Sequence, residues 1–321
     1  MISIIVPAFN AEKTIPYCIK SLIAQKSKEK FEIIIVDDGS TDSTPTVVKK
    51  FKKAKLISQK NKGPAAARNN GVKHARGEII VFVDSDCIAE KNWLEEMALP
   101  FKNPKVVGVQ GTYKSRQREL IARFEQLRIM QRHERMQRQE SIDFIASFSA
   151  AFRKNAFLQV GGFDEAYPMA SGEDTDLSFK LAEKGRKMVF APKAIVWHSH
   201  PVSFWKYLRV KFYRAFWRIP LYKRHSKKLA KDSYTSRVIK AQMLLAVFGI
   251  ASLILALALT GYWVVPFSLL VLIPILNLRF FVWALGKDWK VAFASFAINF
   301  CESFALAFGL LLGVLLARGR K

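Results

Sequence analysis

Carboxylates that directly follow short apolar runs are the residues of this 321-residue sequence best suited to carry out chemistry. Asp84 and Asp86 flank Ser85 just after the run IIVFV, and alternate residues of an extended segment point to the same side. Two hard oxygen donors on one side suit Mg²⁺ or Mn²⁺ carrying a diphosphate. Asp-x-Asp triplets are common in surface loops, so the preceding apolar run is what makes this one informative.

A second acidic pair, Asp37 and Asp38, ends the apolar run IIIV and leads into a Gly-Ser turn. One of these carboxylates can accept from a nucleotide-base N–H, and the turn lets the chain approach a ribose closely. Residues 40–43 are also good helix N-caps, which is the alternative interpretation. Both interpretations can hold for different residues.

A third acidic group, Gly-Glu-Asp-Thr-Asp at residues 172–176, precedes the helix-like run SFKLAEKG. A carboxylate at a helix start often only caps the helix, and Glu173 or Asp176 fits that role. Three acids in four residues repel one another, which tends to raise the pKa of one of them. A carboxylate of that kind is a reasonable general base for a hydroxyl nucleophile.

Two histidines, His198 and His200, stand at alternate positions just after a predicted strand at residues 194–196. A lone histidine is usually structural. Two histidines at this spacing place one imidazole near a metal or a diphosphate, and His198 is the first candidate.

Four β-branched runs must position these groups: ISIIVPAF, FEIIIVDD, AKLIS and GEIIVFVDSD. Helix-like stretches at residues 14–25, 43–53 and 63–75 alternate with them, which predicts a parallel sheet with crossover helices. Ligands bind beyond the carboxyl ends of the strands in such sheets. The polar residues expected at that edge are Asn10, Asp37, Asp38, Asp84 and Asp86.

Six motifs in order resemble those of family-two inverting glycosyltransferases of the GT-A fold: VPAFN, VDDGSTD, GPAAARNNG, VDSD, GGFDE and GEDTDL. The resemblance covers about residues 1–200, and the order is more specific than any one motif. It implies an α/β, Rossmann-like nucleotide-binding domain with a central, mostly parallel sheet. It also implies a nucleotide-diphosphate sugar as the donor.

The resemblance also implies roles for individual residues. Pro7, Ala8 and Phe9 would line the base and ribose pocket, and Asp38 would hold the base. The full set implied to bind the donor is Pro7, Ala8, Phe9, Asn10, Asp38, Arg68, Asp84 and Ser85.

For the reaction itself, the resemblance implies Asp86 as the main metal ligand, accompanied by Asp84 and His198, and Asp174 as the catalytic base. The Gln-x-x-Arg-Trp motif of the processive polymerases is absent, since its nearest counterpart, residues 211–215, lacks both ends. This departure argues against a chain-extruding synthase.

The last part of the chain has a different character. Residues 241–278 carry no charged side chain, and Val291–Ala317 carries only Glu302. A helix needs about 20 apolar residues to cross a bilayer, so this part holds about three spans. Pro266 and Pro274 are expected to bend the second span. The predicted spans lie near residues 241–260, 263–285 and 291–317.

Much of the net charge of +25 lies just before the first predicted span. Residues 203–240 carry twelve Lys/Arg against one acid, Asp232, with aromatic side chains between them. This mixture suits the headgroups of anionic lipids on the cytoplasmic leaflet. A nucleic-acid binder would explain the charge but not the spans, so no nucleic acid is expected as a partner. A second basic stretch, Lys114–Arg138, is predicted to be an amphipathic helix.

The N-terminus, MISIIVPAFN, lacks the basic start and cleavage site of a signal peptide. The three cysteines, at positions 18, 87 and 301, form no metal-ligand spacing and no even disulfide set, which fits a reducing cytoplasm. We therefore expect a multi-pass protein of the plasma membrane with a cytoplasmic catalytic domain. Three spans would place Arg318–Lys321 outside, against the positive-inside tendency, unless the Glu302 segment turns back within the membrane.

The sequence thus predicts a catalytic domain at 1–202, basic aromatic interface helices at 203–240 and a transmembrane domain at 241–321. The predicted function is inverting transfer of a hexose from a GDP- or UDP-sugar, with Mn²⁺ or Mg²⁺, to a hydroxyl of a lipid-linked saccharide. Two alternatives stay open: a polyprenyl-phosphate glycosyl synthase, whose phosphate acceptor needs no base, and a non-catalytic nucleotide-binding membrane protein, which has no use for Asp174. A nucleotidyltransferase would need a glycine-rich loop with a lysine after the first strand, and residues 7–10 offer none.

Overall fold

The computed structural model describes residues 1–167, 172–228, 235–259 and 262–316. These residues pack as two compact units. The sheet unit comprises residues 1–116 and 129–199, and the helical unit comprises residues 117–128 and those from 200 onward. The predicted class, an α/β domain combined with C-terminal apolar helices, is confirmed. The predicted domain boundaries at residues 202 and 240 stay predictions. In the structure, residues 117–128 pack with the C-terminal helices and belong to the helical unit.

The sheet unit is built on one eight-stranded sheet of order β3-β2-β1-β4-β7-β6-β8-β5. β1, β2, β3 and β4 are mutually parallel, as predicted, and β7 runs antiparallel to both β4 and β6. The strands are β1 (Ile2–Ala8), β2 (Phe31–Asp37), β3 (Ala54–Ser58), β4 (Ile79–Val83), β5 (Ile88–Ala89), β6 (Val106–Lys114), β7 (Ser149–Arg153) and β8 (Lys187–Trp197).

Helices cover both faces of the sheet, because the central strands are apolar on both sides and need cover on both. At Gly71 a Cβ atom would lie 2.4 Å from Ile5 Cγ2, so glycine lets α3 approach β1 closely. The helices outside the C-terminal part are α1 (Ile15–Ile23), α2 (Thr44–Lys49), α3 (Pro64–His74), α4 (Trp93–Ala98), α5 (Leu120–Gln137), α6 (Lys154–Gln159) and α7 (Glu173–Glu183). The three predicted crossover helices are therefore confirmed, each shorter than expected, and α2 has only six residues.

The predicted helix over Lys114–Arg138 is wrong at its start, because Lys114 ends β6 and α5 begins at Leu120. Neither β6 nor β7 was predicted. Gly108 and Gly111 interrupt the apolar sequence pattern of β6. Both strands are fixed by pairing with strands distant in sequence rather than by their own sequence pattern.

The helical unit contains α8 (Phe204–Arg224), α9 (Arg237–Ala258), α10 (Val264–Leu276), α11 (Leu278–Leu285) and α12 (Trp289–Leu316). Three of its helical stretches are long and apolar enough to cross a membrane, in agreement with the predicted spans: Arg237–Ala258, Val264–Leu285 and Trp289–Leu316. The second stretch breaks at Asn277, just after Pro274, whereas Pro266 lies in the first turn of α10, where the missing N–H breaks no helix bond.

The basic segment 203–240 forms α8 and one 3₁₀ turn at residues 226–228, and Arg237 already begins α9. Of its predicted features, Lys231 and Asp232 lie outside the described residues, as do Arg318–Lys321.

Close backbone packing joins α8 to α12 through two glycines. A Cβ atom at Gly309 would lie 2.2 Å from the carbonyl oxygen of Phe212, and one at Gly313 would lie 2.7 Å from that of Phe216. Two glycines four residues apart in α12 therefore let the two helix backbones touch, as small residues do in membrane-helix pairs.

Replacing Gly309 with alanine is expected to force α8 and α12 apart. Overpacking of this kind costs about 1–3 kcal/mol, so the melting temperature of the detergent-solubilised protein should fall by several degrees. Gly286→Ala is the matched control, because a Cβ atom there meets nothing within 4 Å. Equal melting temperatures for the two variants would contradict the packing described.

Candidate functional site

A cleft of about 430 Å³ lies at the edge where β1, β2 and β4 end. It gathers eight of the predicted site residues: Pro7, Ala8, Phe9, Asp38, Arg68, Asp84, Ser85 and Asp86. Four further residues line it: Asn61, Gly63, Pro64 and Ala67. Three parallel strands thus deliver residues far apart in sequence to one place.

Asp38 is buried, and its carboxylate is fixed by the loop that precedes α3. It accepts hydrogen bonds from Gln59 Nε2 at 2.7 Å, from the Lys62 backbone N–H at 2.9 Å and from that of Gly63 at 2.8 Å. A carboxylate has about four lone-pair sites. One acceptor position of the Asp38 carboxylate therefore remains open.

Asn10 does not line the cleft. The side-chain oxygen of Asn10 accepts from the Thr41 backbone N–H at 2.8 Å, and the backbone N–H of Asn10 donates to Ser40 Oγ at 2.9 Å. With a φ of 49°, Asn10 occupies the left-handed region that asparagine tolerates better than most residues. Its observed contacts tie the loop after β1 to the loop after β2.

Arg68 lies buried between two carboxylates. Its Nη2 is 2.8 Å from Asp84 Oδ1, and its Nη1 is 3.3 Å from Glu173 Oε1. Burial alone would lower the pKa of Arg68, but the two carboxylates outweigh it and the pKa is raised above its ordinary value. The buried Nε of Arg68 has no hydrogen-bond partner among the described residues.

Asp86, in the loop after β4, pairs with His198. His198 Nε2 lies 2.9 Å from Asp86 Oδ2, and the ring of Tyr113 stands edge-on to the imidazole at 4.6 Å. His198 follows β8, so the sheet brings it to the loop after β4 as the sequence predicted. His200, the second candidate, instead lies in the helical unit, with Nε2 2.9 Å from Gln126 Oε1.

These residues fit a divalent cation. Potential ligand atoms of Asp86, His198 and Cys87 lie within 4.8 Å of one another. Burial and the nearby Asp84 and Asp86 raise the pKa of the Cys87 thiol well above its ordinary value. A soft thiol is also a poor match for Mg²⁺ or Mn²⁺, which prefer oxygen ligands. The carboxylate and imidazole that remain, with Asp84 beside them, are donors of the kind that Mg²⁺ and Mn²⁺ take.

Asp174 lies in the first turn of α7 and is half-buried. Its Oδ1 accepts from the backbone N–H of Thr175 at 2.7 Å and from Thr175 Oγ1 at 3.2 Å. Its charge also contributes to the raised pKa of Arg68, which places the two groups close together. It is not among the residues lining the cleft.

Of the neighbouring acids of α7, Glu173 contributes to the helix cap, since its Oε2 accepts from the backbone N–H of the N-cap residue Gly172 at 3.1 Å. Glu173 is buried and pairs with Arg68, while Asp176 is buried and pairs with Lys180 at 2.6 Å. Sequence reasoning missed the Arg68–Glu173 pair, because nothing in a local pattern links residues 105 positions apart. Sequence reasoning also missed Asn61, Tyr113 and the position of Cys87. Cys87 was the easiest of these to predict, because it follows Asp86 directly in the sequence.

The sheet unit is similar in sequence to known glycosyltransferases. Residues 3–161 match the model of glycosyl transferase family 2. Among curated proteins, the pre-mycofactocin glycosyltransferase of Mycobacterium tuberculosis is 32% identical over 242 residues, which are 71% of this chain and 51% of that protein. The glycosyltransferase AglE of Haloferax volcanii is 28% identical over 207 residues, 61% of this chain and 66% of that protein. The chain thus spans about half the length of the mycobacterial relative.

Solved structures agree on the fold. The mannosyltransferase PcManGT of Pyrobaculum calidifontis, solved with GDP-Man and Mn²⁺, has a TM-score of 0.64 at 20% identity, covering 97% of this chain and 86% of that one. Residues 1–349 of S. aureus TarS, solved with UDP, have a TM-score of 0.50 at 19% identity, covering 97% and 91%. The predicted GT-A class is confirmed.

Removing the acid or the imidazole of the Asp86–His198 pair is expected to weaken divalent-cation binding. Asp86→Asn and His198→Ala should each lower Mn²⁺ affinity at least about tenfold, measured by electron paramagnetic resonance titration of the purified protein. His74→Ala, an exposed histidine in the last turn of α3, is the control and should bind as the unmodified protein does. Unchanged affinity in both site variants would show that the ion binds elsewhere.

Proposed function

We propose that this chain, which carries a glycosyltransferase family 2 domain at residues 3–161, transfers a hexose from a nucleotide-diphosphate sugar to a lipid-linked acceptor. The observation that carries the proposal is the convergence of Asp38, Arg68, Asp84 and the Asp86–His198 pair on one cleft, since these groups suit a base, a diphosphate and a cation. The reaction would take place at the cytoplasmic face of the membrane.

A nucleotide sugar as donor is supported by solved structures of similar fold that were determined with nucleotides or nucleotide sugars bound. PcManGT was solved with GDP-Man, and TarS with UDP and with UDP-GlcNAc. Both GDP- and UDP-sugars therefore suit a site of this shape. Asp38 has one acceptor position left for the base, and Phe9, 49% exposed at the cleft, offers an apolar surface beside it.

The charge of the cleft supports metal dependence. Asp84 and Glu173 together outweigh Arg68, and Asp86 and Asp174 add further negative charge nearby. A diphosphate would be repelled there unless a cation accompanied it. Asp86 and His198 would hold Mn²⁺ or Mg²⁺, with Asp84 beside them, and the bound ion would stabilise negative charge on the departing diphosphate.

The residues of the chain divide the remaining work. Arg68 would place its positive charge beside the diphosphate, while Asp84 and Glu173 hold the guanidinium in place. Asp174 would accept the proton of the acceptor hydroxyl while the hydroxyl oxygen bonds to the anomeric carbon. The bond from that carbon to the diphosphate oxygen breaks in the same step, so the anomeric configuration inverts.

An acceptor held at a membrane is supported by the three apolar helical stretches and by the basic α8. A hydroxyl acceptor, such as that of a lipid-linked saccharide, needs a base, and Asp174 supplies one. A phosphate acceptor is already anionic at neutral pH and needs none. The carboxylate therefore favours transfer to a hydroxyl over synthesis of a polyprenyl-phosphate sugar.

Asp174→Asn is expected to lower the turnover number at least about 100-fold while leaving the affinity for donor nearly unchanged. The asparagine keeps the shape of the side chain but cannot take up the proton. Initial rates and calorimetric donor binding measure the two quantities, and Glu183→Gln, at the exposed end of the same helix, is the control. Near-normal turnover in Asp174→Asn would remove Asp174 from the role of base.

A panel of nucleotide sugars tests the substrate class. Purified protein with Mn²⁺ or Mg²⁺ should release nucleoside diphosphate from one donor, faster with a total lipid extract and not at all with EDTA. Release that EDTA does not affect would contradict the metal role. A polyprenyl-phosphate sugar as the sole product would overturn the hydroxyl acceptor, and donor binding without release under any lipid would favour a nucleotide-binding protein without catalysis.

A further inference from the structure

The helix α12 has α8 alongside it over much of its length. Lys211 Nζ lies 3.5 Å from Glu302 Oε1, and the two helix backbones touch at Gly309 and Gly313. Glu302 and Gly313 are eleven residues apart, which is about 17 Å of helix. Over that distance α8 and α12 run side by side.

The composition of α8 places it outside the hydrocarbon layer. Its 21 residues include seven Lys/Arg and no acid. Trp205 is 76% exposed, and Lys206 and Arg209 are exposed on neighbouring turns. Charged side chains are costly at the centre of a bilayer, whereas cations mixed with aromatic rings suit its headgroup layer. A helix packed lengthwise on α8 must lie at the same depth.

The pattern along α12 agrees with that depth. One face, Glu302, Leu306, Gly309 and Gly313, is buried inside the helical unit. Another face is apolar and exposed: Phe308, Leu311, Leu312 and Leu315. A helix lying in the membrane surface has one apolar face turned to the acyl chains and another covered.

The charges around Glu302 point the same way. Glu302 is the middle residue of α12, is 4% exposed and pairs with Lys211 and, at 4.0 Å, with Arg128. Lys211 also pairs with Glu125 at 2.9 Å, and burial is outweighed by Lys211 and Arg214, so the pKa of Glu125 is lowered to about 2. A crossing α12 would carry Glu302 and the cations paired with it to the bilayer centre.

We propose that α12 lies in the headgroup layer together with α8 and with α11, which packs along the first part of α12, so that α9 and α10 alone cross the bilayer. The partner surface is the lipid itself: acyl chains against the Phe308–Leu315 face and anionic phosphates against Lys206 and Arg209. The crossing pair turns near Tyr262 and Trp263, which are 78% and 52% exposed and suit the opposite interface.

One consequence concerns the tail. With two crossings, residues beyond Leu316 stay on the same side of the bilayer as α8. The cations Arg318, Arg320 and Lys321 then count toward the basic residues of that side, which satisfies the positive-inside tendency that three crossings would violate.

Single-cysteine labelling tests this directly. In the full chain carrying Cys301→Ala, with Cys18 and Cys87 buried, cysteines are introduced at Ser226, Tyr262 and Lys321. A membrane-impermeant maleimide is applied to intact cells and to inside-out vesicles. Positions 226 and 321 should label in the same preparation, and position 262 in the other, each by at least about tenfold over the opposite preparation.

Each other outcome overturns the proposal. Labelling of 321 together with 262 means that α12 crosses, and labelling of 321 only after detergent means that the tail lies within the membrane. Labelling of 226 and 262 together means that α9 does not cross.

A matched pair of lysine substitutions gives a second measurement. Phe308→Lys, on the exposed face of α12, should keep at least half of the membrane-bound yield, because a lysine at the surface reaches the headgroups. Ile254→Lys, on the exposed face of α9, should lower that yield at least about fivefold, because it enters the hydrocarbon. An equal loss in both variants would indicate that α12 crosses.

Discussion

The cleft at the ends of β1, β2 and β4 depends on the buried guanidinium of Arg68. This group joins Asp84, in the loop after β4, to Glu173, in the first turn of α7. Two neighbouring carboxylates without a cation between them would favour protonation of one. Because Arg68 pairs with both, the loop that carries Asp86 and the helix that carries Asp174 are held in place around the same charge.

The requirement that buried charges be paired also shapes the helical unit. Glu302 pairs with cations from two other segments of the chain, and the amide of Asn277 donates to Ser295 while accepting from Asn299. These polar contacts join α5, α8, α11 and α12 more specifically than apolar packing does, since apolar side chains pack in many registers. Removing one partner of such a pair would leave an uncompensated charge.

Charge thus serves opposite purposes in the two units. In the sheet unit an excess of carboxylates at a strand edge leaves the cleft negative, which suits a cation and, through it, a diphosphate. In the helical unit an excess of Lys and Arg on α8 suits anionic lipid. A net charge of +25 for the whole chain conceals this division, because it adds a local acidic site to a much larger basic surface.

The sequence by itself determined the parallel strands β1 to β4, their crossover helices, the gathering of carboxylates at one edge and the three long apolar stretches. Period and length encode these features locally. Only the tertiary structure decided the antiparallel strands β6 and β7, the ties of Asn10, the partners of Arg68 and the packing of α12 on α8. Each of these depends on residues far apart in the chain, whose contacts follow from burial and pairing rather than from any local pattern.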